Sequence, residues 1–409
     1  MPTATAIDLQ SRQFIADPYP AYRELREARH PQWLPHTDRT GTEGMWLFAR
    51  YNDVAGILRD TQSISKDVSR LVPVDRLTAF DRMLLNLDPP EHTRLRAVVA
   101  PLFGVRRIAQ LEATIEAIVM ELLSDIEAQG EADFMARFAV PLPIRVVAGV
   151  LGVPPADMAR LKAWTDDMIT GLDSARASEP ARTKVASSMG AMTDYLRGLI
   201  ARDKQPAGSL LEHVAAVRQE VGTPTPDEML SLCVLMVLAG HETTVNLLGN
   251  GLLTLLRHPA QLERLRRKPA LIATAIDEML RFESPLQRGT YRITIAPYRI
   301  AGVTLEPGQQ LSAVMAAANR DASEFPSPDT FDISRKPNRH LAFGKGVHKC
   351  LGERLAKAEA RIAFTRLLER FPRIELLDAE PQWQDKTLFR GLKALRASFS
   401  LERRPESAR

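Results

Sequence analysis

The chain has 409 residues, with 54 basic against 50 acidic side chains and 45% apolar types, enough for a large buried core. The formal charge of +4 is small and its basic residues are dispersed, which gives no footing for nucleic acid. Only Cys233 and Cys350 are present, so a disulfide framework is excluded and a reducing cytoplasm is expected.

The N-terminus has no basic start followed by an apolar run, so neither signal peptide nor membrane anchor is expected. Apolar residues at three- and four-residue spacing predict helices over 20–28, 51–60, 91–103, 108–129, 142–151, 156–172, 186–204, 210–220, 227–256, 260–268, 272–281 and 351–371. Alternating runs predict strands over 44–49, 292–295, 298–300, 310–314 and 397–401, with turns at Gly302 and Pro307-Gly308. The longest apolar stretch, 230–238, is shorter than a bilayer requires. Proline and glycine serve as punctuation and mark no linker, and there is no repeat, so residues 1–409 read as a single mainly α (α+β) domain with a small β-sheet region. The segment 319–338, with Pro326, Pro328 and Pro337, lacks periodicity; an irregular stretch of that length is more often functional than accidental.

Chemistry concentrates in three places. In the long apolar helix 227–256 lie Ala239-Gly-His-Glu-Thr-Thr244, where Ala239 and Gly240 leave space beside the helix. There Thr243 can give up its backbone acceptor for a ligand, and Glu242 can relay protons. Read without the rest of the chain, Glu242 and His241 could equally be hydrogen-bonded core polar groups, and Cys233 reads as core. Glu278 and Arg281 are three apart on one helix face, with Arg335 as a third member of a buried pair that needs more partners. His92 and Arg96, four apart, together with Arg292 and His340, are cations able to clamp a dianion such as the two propionates of haem, if they converge.

The third place is Phe343-Gly-Lys-Gly-Val-His-Lys-Cys350-Leu-Gly352. Gly344 and Gly346 permit a tight turn, and Gly352 leaves room beside the sulfur for a flat group. A helix starting near Leu351 would aim its N–H groups at Cys350 and favour the thiolate, an axial ligand that pushes electron density onto haem iron and promotes O–O cleavage. His348 with Cys350 offers zinc only two ligands and no second pair at zinc spacing.

In this order the motifs resemble the cytochrome P-450 superfamily, soluble bacterial type. The matching segments are Asp88-Pro-Pro-Glu-His-Thr-Arg-Leu-Arg96, Ala239-Gly-His-Glu-Thr-Thr244, Glu278-x-x-Arg281 and Phe343-Gly-x-Gly-x-His-x-Cys350-Leu-Gly352, and the likeness runs from Asp17-Pro-Tyr-Pro20 to the last strand. The resemblance implies a triangular, helix-rich single domain holding haem b, with Cys350 as the thiolate ligand of iron. It also implies His92, Arg96, Arg292 and His340 at the propionates, Glu242 and Thr243 as the proton-delivery pair, and Phe343 packed near the sulfur. Pro297 and Tyr298 replace acidic residues common after the Arg292 strand.

Family geometry further implies a substrate pocket formed by Met83, Leu84, Leu85, Val237, Leu238, Leu286, Gly289, Thr290, Leu388 and Phe389. Such apolar walls suit a terpenoid, steroid, fatty acyl chain or macrolide. Arg70 and Arg288 are candidates for a substrate carboxylate, with solvent or the haem periphery as the other reading. The implied activity is insertion of one atom of O2 by a cytoplasmic monomer. Electrons would come from a separate acidic ferredoxin, docked on Arg106, Arg107, Lys345, Lys349 and Arg354, and its reductase. A peroxide-driven peroxygenase, which normally dispenses with the acid–alcohol pair, and a non-catalytic haem sensor are the rival readings.

Overall fold

Apolar spacing becomes helix through most of the computed structural model, which describes residues 7–28, 30–35, 43–70, 81–172, 179–202, 204–217 and 224–402. The main helices are Tyr19–Glu27, Tyr51–Arg59, Glu91–Val99, Val105–Gln129, Pro141–Leu151, Met158–Leu172, Glu179–Ile200, Leu210–Val217, Pro226–Gly240, Glu242–Arg257, Pro259–Arg267, Ile272–Phe282 and Glu353–Arg370. Residues 218–220 of the expected 210–220 helix lie outside the described residues. Val105–Gln129 shows how the pattern works. It buries Ile108, Ile115, Val119, Leu122 and Ile126 on one face, stops at Gly130 with φ +70°, and packs along Glu353–Arg370.

The expected 227–256 helix is two segments meeting at His241, whose φ of −114° departs from helical values. Thr225 and Glu228 form a reciprocal capping box that fixes its start. Counted as one run, Pro226–Arg257 is long and apolar enough to cross a bilayer, which corrects the inference from 230–238 alone; 78% of its most apolar window is buried in the protein, so it serves as a core helix.

Strands are few and short. A five-stranded sheet runs in the order Gln32–Pro35, Gly44–Phe48, Gln310–Ala313, Arg292–Thr294, Ile64–Ser65, parallel only between the second and third. Its register sets Arg292 opposite Leu311 and Ser65 opposite Ile293, which brings Lys66, just after Ser65, close in the sheet to Arg292. Glu131–Asp133, Arg396–Ser400 and Arg373–Leu376 form a second sheet, and Tyr298–Ile300 turns into Val303–Leu305 through Ala301 (φ +49°) and Gly302 (φ +76°), both in the left-handed region a tight hairpin needs. One large apolar cluster joins most helices; two smaller clusters pack on opposite faces of the five-stranded sheet, one through Phe48 and Leu311, the other through Leu47.

Candidate active site

The cysteine loop is held by backbone bonds: Gly344 N–H donates to Leu341 O at 2.8 Å and Cys350 N–H to Phe343 O at 2.8 Å. Gly346 has φ +75°, and a Cβ there would lie 2.5 Å from Leu58 O, so no other residue fits. At Gly352 a Cβ would meet nothing within 4 Å, the open space that a flat group beside the sulfur requires. The following helix starts at Glu353, with Gly352 as its cap, two residues later than expected.

Cys350 is accessible because it lies on the wall of a large internal cavity. Burial among protein atoms pushes its thiol above the ordinary range, Glu353 adds to this, and the Gly352 N–H, Arg96 and Lys349 only partly oppose it. The Gly352 N–H at the start of the helix thus acts in the direction expected from the sequence, favouring the thiolate, and a bound metal cation would add to that stabilisation.

Across the cavity stands the central helix, contributing Ala239, Gly240, Thr243, Thr244 and Leu247 to its wall. Gly240 has a second duty, since a Cβ there would sit 2.8 Å from Val147 Cγ2. Thr243 Oγ1 reaches Ala239 O at only 3.5 Å, a stretched contact that leaves the hydroxyl available to a ligand. Glu242 does not line the cavity. It is buried one residue behind, accepting from Lys386 Nζ at 2.8 Å.

Of the four expected clamp residues, His92, Arg96 and Arg292 line the cavity and His340 does not. His340 instead pairs with Asp277, Nε2 to Oδ1 at 3.3 Å, and accepts from Ala342 N–H. Two other basic side chains line the wall instead: Lys66, buried at the end of Ile64–Ser65, and His348, whose ring lies 4.3 Å from that of His92. The sequence did flag His348, in the cysteine-loop signature and as half of a rejected zinc pair, but not as a propionate partner; among the described residues the cluster able to hold a metal by side-chain donors includes neither His348 nor Cys350. Nothing in the sequence singled out Lys66.

Burial depresses the proton affinity of every member. It takes Arg292 down to about 10, holds Lys66 well below the usual lysine range with Arg292 adding repulsion, and lowers Arg96. His92 falls to about 4 and His348 to about 2, each through burial first and neighbouring cations second. His92 Nδ1 is buried with no protein partner. Such a set repels itself unless an anion joins it. One sulfur, an open face at Gly352 and a buried nest of cations fit a flat dianionic iron porphyrin.

Leu84, Leu85, Leu238, Leu286, Gly289, Thr290, Leu388 and Phe389 line the cavity as expected, whereas Met83 and Val237 are buried in the core away from it. Helical phase puts Leu235, Met236 and Ala239 on the wall in place of Val237. The Thr290 hydroxyl pairs with Lys66 Nζ, Arg70 lies 3.7 Å from Asp88, and Arg288 donates to Thr387, so the two arginines are already engaged. Glu359, missed by sequence reasoning, also faces the cavity; neither carboxyl oxygen has a protein partner, and burial pushes it up to about 8.

Glu278 and Arg281, both fully buried, form one network with Arg335. Arg281 bonds both Glu278 oxygens at 2.8 and 2.9 Å, Arg335 Nε approaches them at 3.1 and 3.2 Å, and Asn338 and the Asp332 N–H complete the carboxylate.

The Cytochrome P450 family model matches residues 269–393, the stretch from the ion-pair helix past the cysteine loop. Vitamin D(3) 25-hydroxylase of Pseudonocardia autotrophica is 37% identical over 397 residues, covering 95% of each chain. Cytochrome P450 monooxygenase PikC of Streptomyces venezuelae is 39% identical over 393 residues, 94% of this chain and 91% of that one. Among solved structures, PksS, the bacillaene polyketide synthase cytochrome P450 of Bacillus subtilis 168, superposes with a TM-score of 0.87 at 34% identity, covering 96% of this chain and all of its own. A fold of this kind, closed around a single cysteine and a cationic nest, defines a haem-thiolate oxidoreductase. The chain belongs to the cytochrome P450 family: it is a monooxygenase that binds haem b through a cysteine thiolate.

Proposed function

We propose that the protein places one atom of O2 into an apolar small molecule, with Cys350 as the thiolate ligand. The observation that carries this is the cavity itself, with the Cys350 sulfur on one wall and Thr243 on the other. When bound, haem supplies dioxygen binding and O–O cleavage, favoured by the electron push of the thiolate.

Around that chemistry the chain's own residues divide the work. Lys66, Arg96 and Arg292 would offset the charge of the propionates, and His92 and His348 would offer them hydrogen bonds. Thr243 presents a hydroxyl at the distal wall, and Glu242 behind it, paired with Lys386, is the carboxylate that relays protons to that hydroxyl. Leu84, Leu85, Leu235, Leu238, Leu388 and Phe389 exclude water and orient an apolar skeleton. A terpenoid, steroid, fatty acyl or macrolide substrate suits those walls; the relatives named for vitamin D3 and for polyketide synthesis support this size and polarity.

Electrons come from a separate ferredoxin and reductase. Exposed Arg106, Lys349 and Arg354 on the cysteine side support an acidic partner, although Arg107 is committed to Gly208 O and Lys349 also pairs with Glu353. We read residues 1–409 as one domain acting as a cytoplasmic monomer. The test is a reduced carbon-monoxide difference spectrum with a thiolate-type Soret band, lost in Cys350→Ser, together with turnover under labelled dioxygen that leaves a single labelled atom in the product. Turnover with hydrogen peroxide far above that with ferredoxin and reductase would replace this reading by a peroxygenase.

A further inference from the structure

His241 occupies the break in the central helix with only 1% of its surface exposed. Its Nδ1 lies 3.3 Å from Val237 O, the contact of an N–H donor, which leaves the lone pair on Nε2. That Nε2 is buried with no protein partner. One imidazole nitrogen of His241 and one carboxylate oxygen each of Asp166 and Glu242 lie within 4.8 Å of one another.

The two carboxylates differ in what they can reach. Asp166, on the helix Met158–Leu172, has a side chain 46% exposed and pairs with Lys162 at 2.5 Å. Glu242 has a side chain 7% exposed, pairs with Lys386, and adjoins Thr243 on the cavity wall. A neutral imidazole thus stands between a wet carboxylate and a dry one.

We infer that His241 carries protons from Asp166 at the surface to Glu242 beside the cavity, which extends the proposed Glu242–Thr243 pair to solvent and rests on that reading. In the first hop the O–H bond of protonated Asp166 breaks as an Nε2–H bond forms, giving imidazolium and a carboxylate. In the second the Nε2–H bond breaks as an O–H bond forms on Glu242, and the imidazole returns to neutral. No electron moves, and Asp166 is reprotonated from water. A separation of 4.8 Å or less is closed by one water or a small side-chain rotation. Burial, the largest influence on His241, holds it below its ordinary range against the pull of the carboxylates, so a proton accepted is released again.

The experiment compares His241→Phe, Asp166→Asn and Glu242→Gln holoenzymes in a coupled assay with ferredoxin, reductase and a substrate that gives product. It reads product per NADH and the solvent isotope effect on NADH consumption, with haem content and thermal midpoint as checks on folding. His241→Phe and Asp166→Asn should each slow turnover about 10-fold and enlarge the isotope effect, and His241→Phe in the Glu242→Gln background should add nothing, as expected of serial steps. If His241→Phe fails to load haem, His241→Gln carries the same readout. Wild-type rate and isotope effect in the His241 variant, with Glu242→Gln impaired, would overturn the relay and leave the Glu242 role standing; wild-type behaviour in Glu242→Gln would remove both. Zinc binding by the wild type that is lost in His241→Phe would give the cluster to a metal instead.

Discussion

At the scale of single residues, the cationic nest is the feature with the largest consequence. Lys66, His92, Arg96, Arg292 and His348 are gathered where burial and mutual repulsion oppose their charge, which makes the site costly until an anion enters. Charge-assisted hydrogen bonds contribute about 1.5–3 kcal/mol each. Lys66→Met or Arg292→Gln should therefore speed haem loss roughly 10-fold or more, measured by transfer to apomyoglobin. His340→Ala should leave that rate unchanged, because His340 spends its hydrogen bond on Asp277.

Glu359 yields a second residue-scale prediction. Its folded pKa of about 8 lies above the ordinary 4.5, so between those values the folded state keeps a proton that the unfolded chain has lost. The unfolded state then binds fewer protons, and stability falls as pH rises through that window, by at most about 1.4 kcal/mol per pH unit. Glu359→Gln removes this dependence. Its advantage in thermal midpoint over the wild type should grow from pH 5 to pH 8, and parallel profiles would contradict the assignment.

Among elements, helices were legible because three- and four-residue apolar spacing is a long, redundant signal, as in Val105–Gln129. The strands Gln32–Pro35, Ile64–Ser65, Glu131–Asp133, Val303–Leu305 and Arg373–Leu376 were not, since two to four residues carry too little period to stand out, and the equally short Arg292–Thr294 and Tyr298–Ile300 were found beside the turn signals at Gly302 and Pro307-Gly308. The same limit hid Lys66, which owes its place to strand pairing between Ser65 and Ile293. The turn of the cysteine loop was legible because Gly344 and Gly346 take positive φ, but sequence could not tell His340 from His348: both lie near Cys350 in the chain, and only the fold turns one toward His92. The break at His241 was masked by unbroken apolar flanks. Gly240 beside it is tied to Pro141–Leu151 through Val147, so Gly240→Ala should cost about 1–3 kcal/mol by overpacking. Adding Val147→Ala should recover part of that loss, and a double-mutant cycle in chemical denaturation without coupling would show that the contact does not set the helix approach.

Over the whole molecule, the Glu278 network joins parts that are distant in sequence. Arg281 donates to the carbonyls of Asn319, Pro328 and Thr330, Arg335 to those of Pro326, Ser327 and Thr330, and Asn319 Oδ1 accepts from Leu341 N–H at the entrance to the cysteine loop. The irregular 319–338 segment is thereby wrapped around two arginines held by one carboxylate, which accounts for an ordered stretch without periodicity. Because Glu278 and Arg281 are fully buried, removing one partner strands a charge. Arg281→Met should destabilise the fold by about 3–5 kcal/mol and lower haem incorporation, since the loop carrying Cys350 loses its anchor. Arg335→Met should cost less, because its side chain retains 10% exposure and Glu278 keeps Arg281, Asn338 and the Asp332 N–H. Replacing Glu278, Arg281 and Arg335 together by leucine, methionine and methionine removes every charge of the network, so the triple variant should be more stable than Arg281→Met alone while still loading haem poorly, because the carbonyls of 319–330 have lost their donors. Chemical denaturation and haem content per chain separate the two effects: stability restored together with full haem content would mean that the network supports the fold without positioning the cysteine loop.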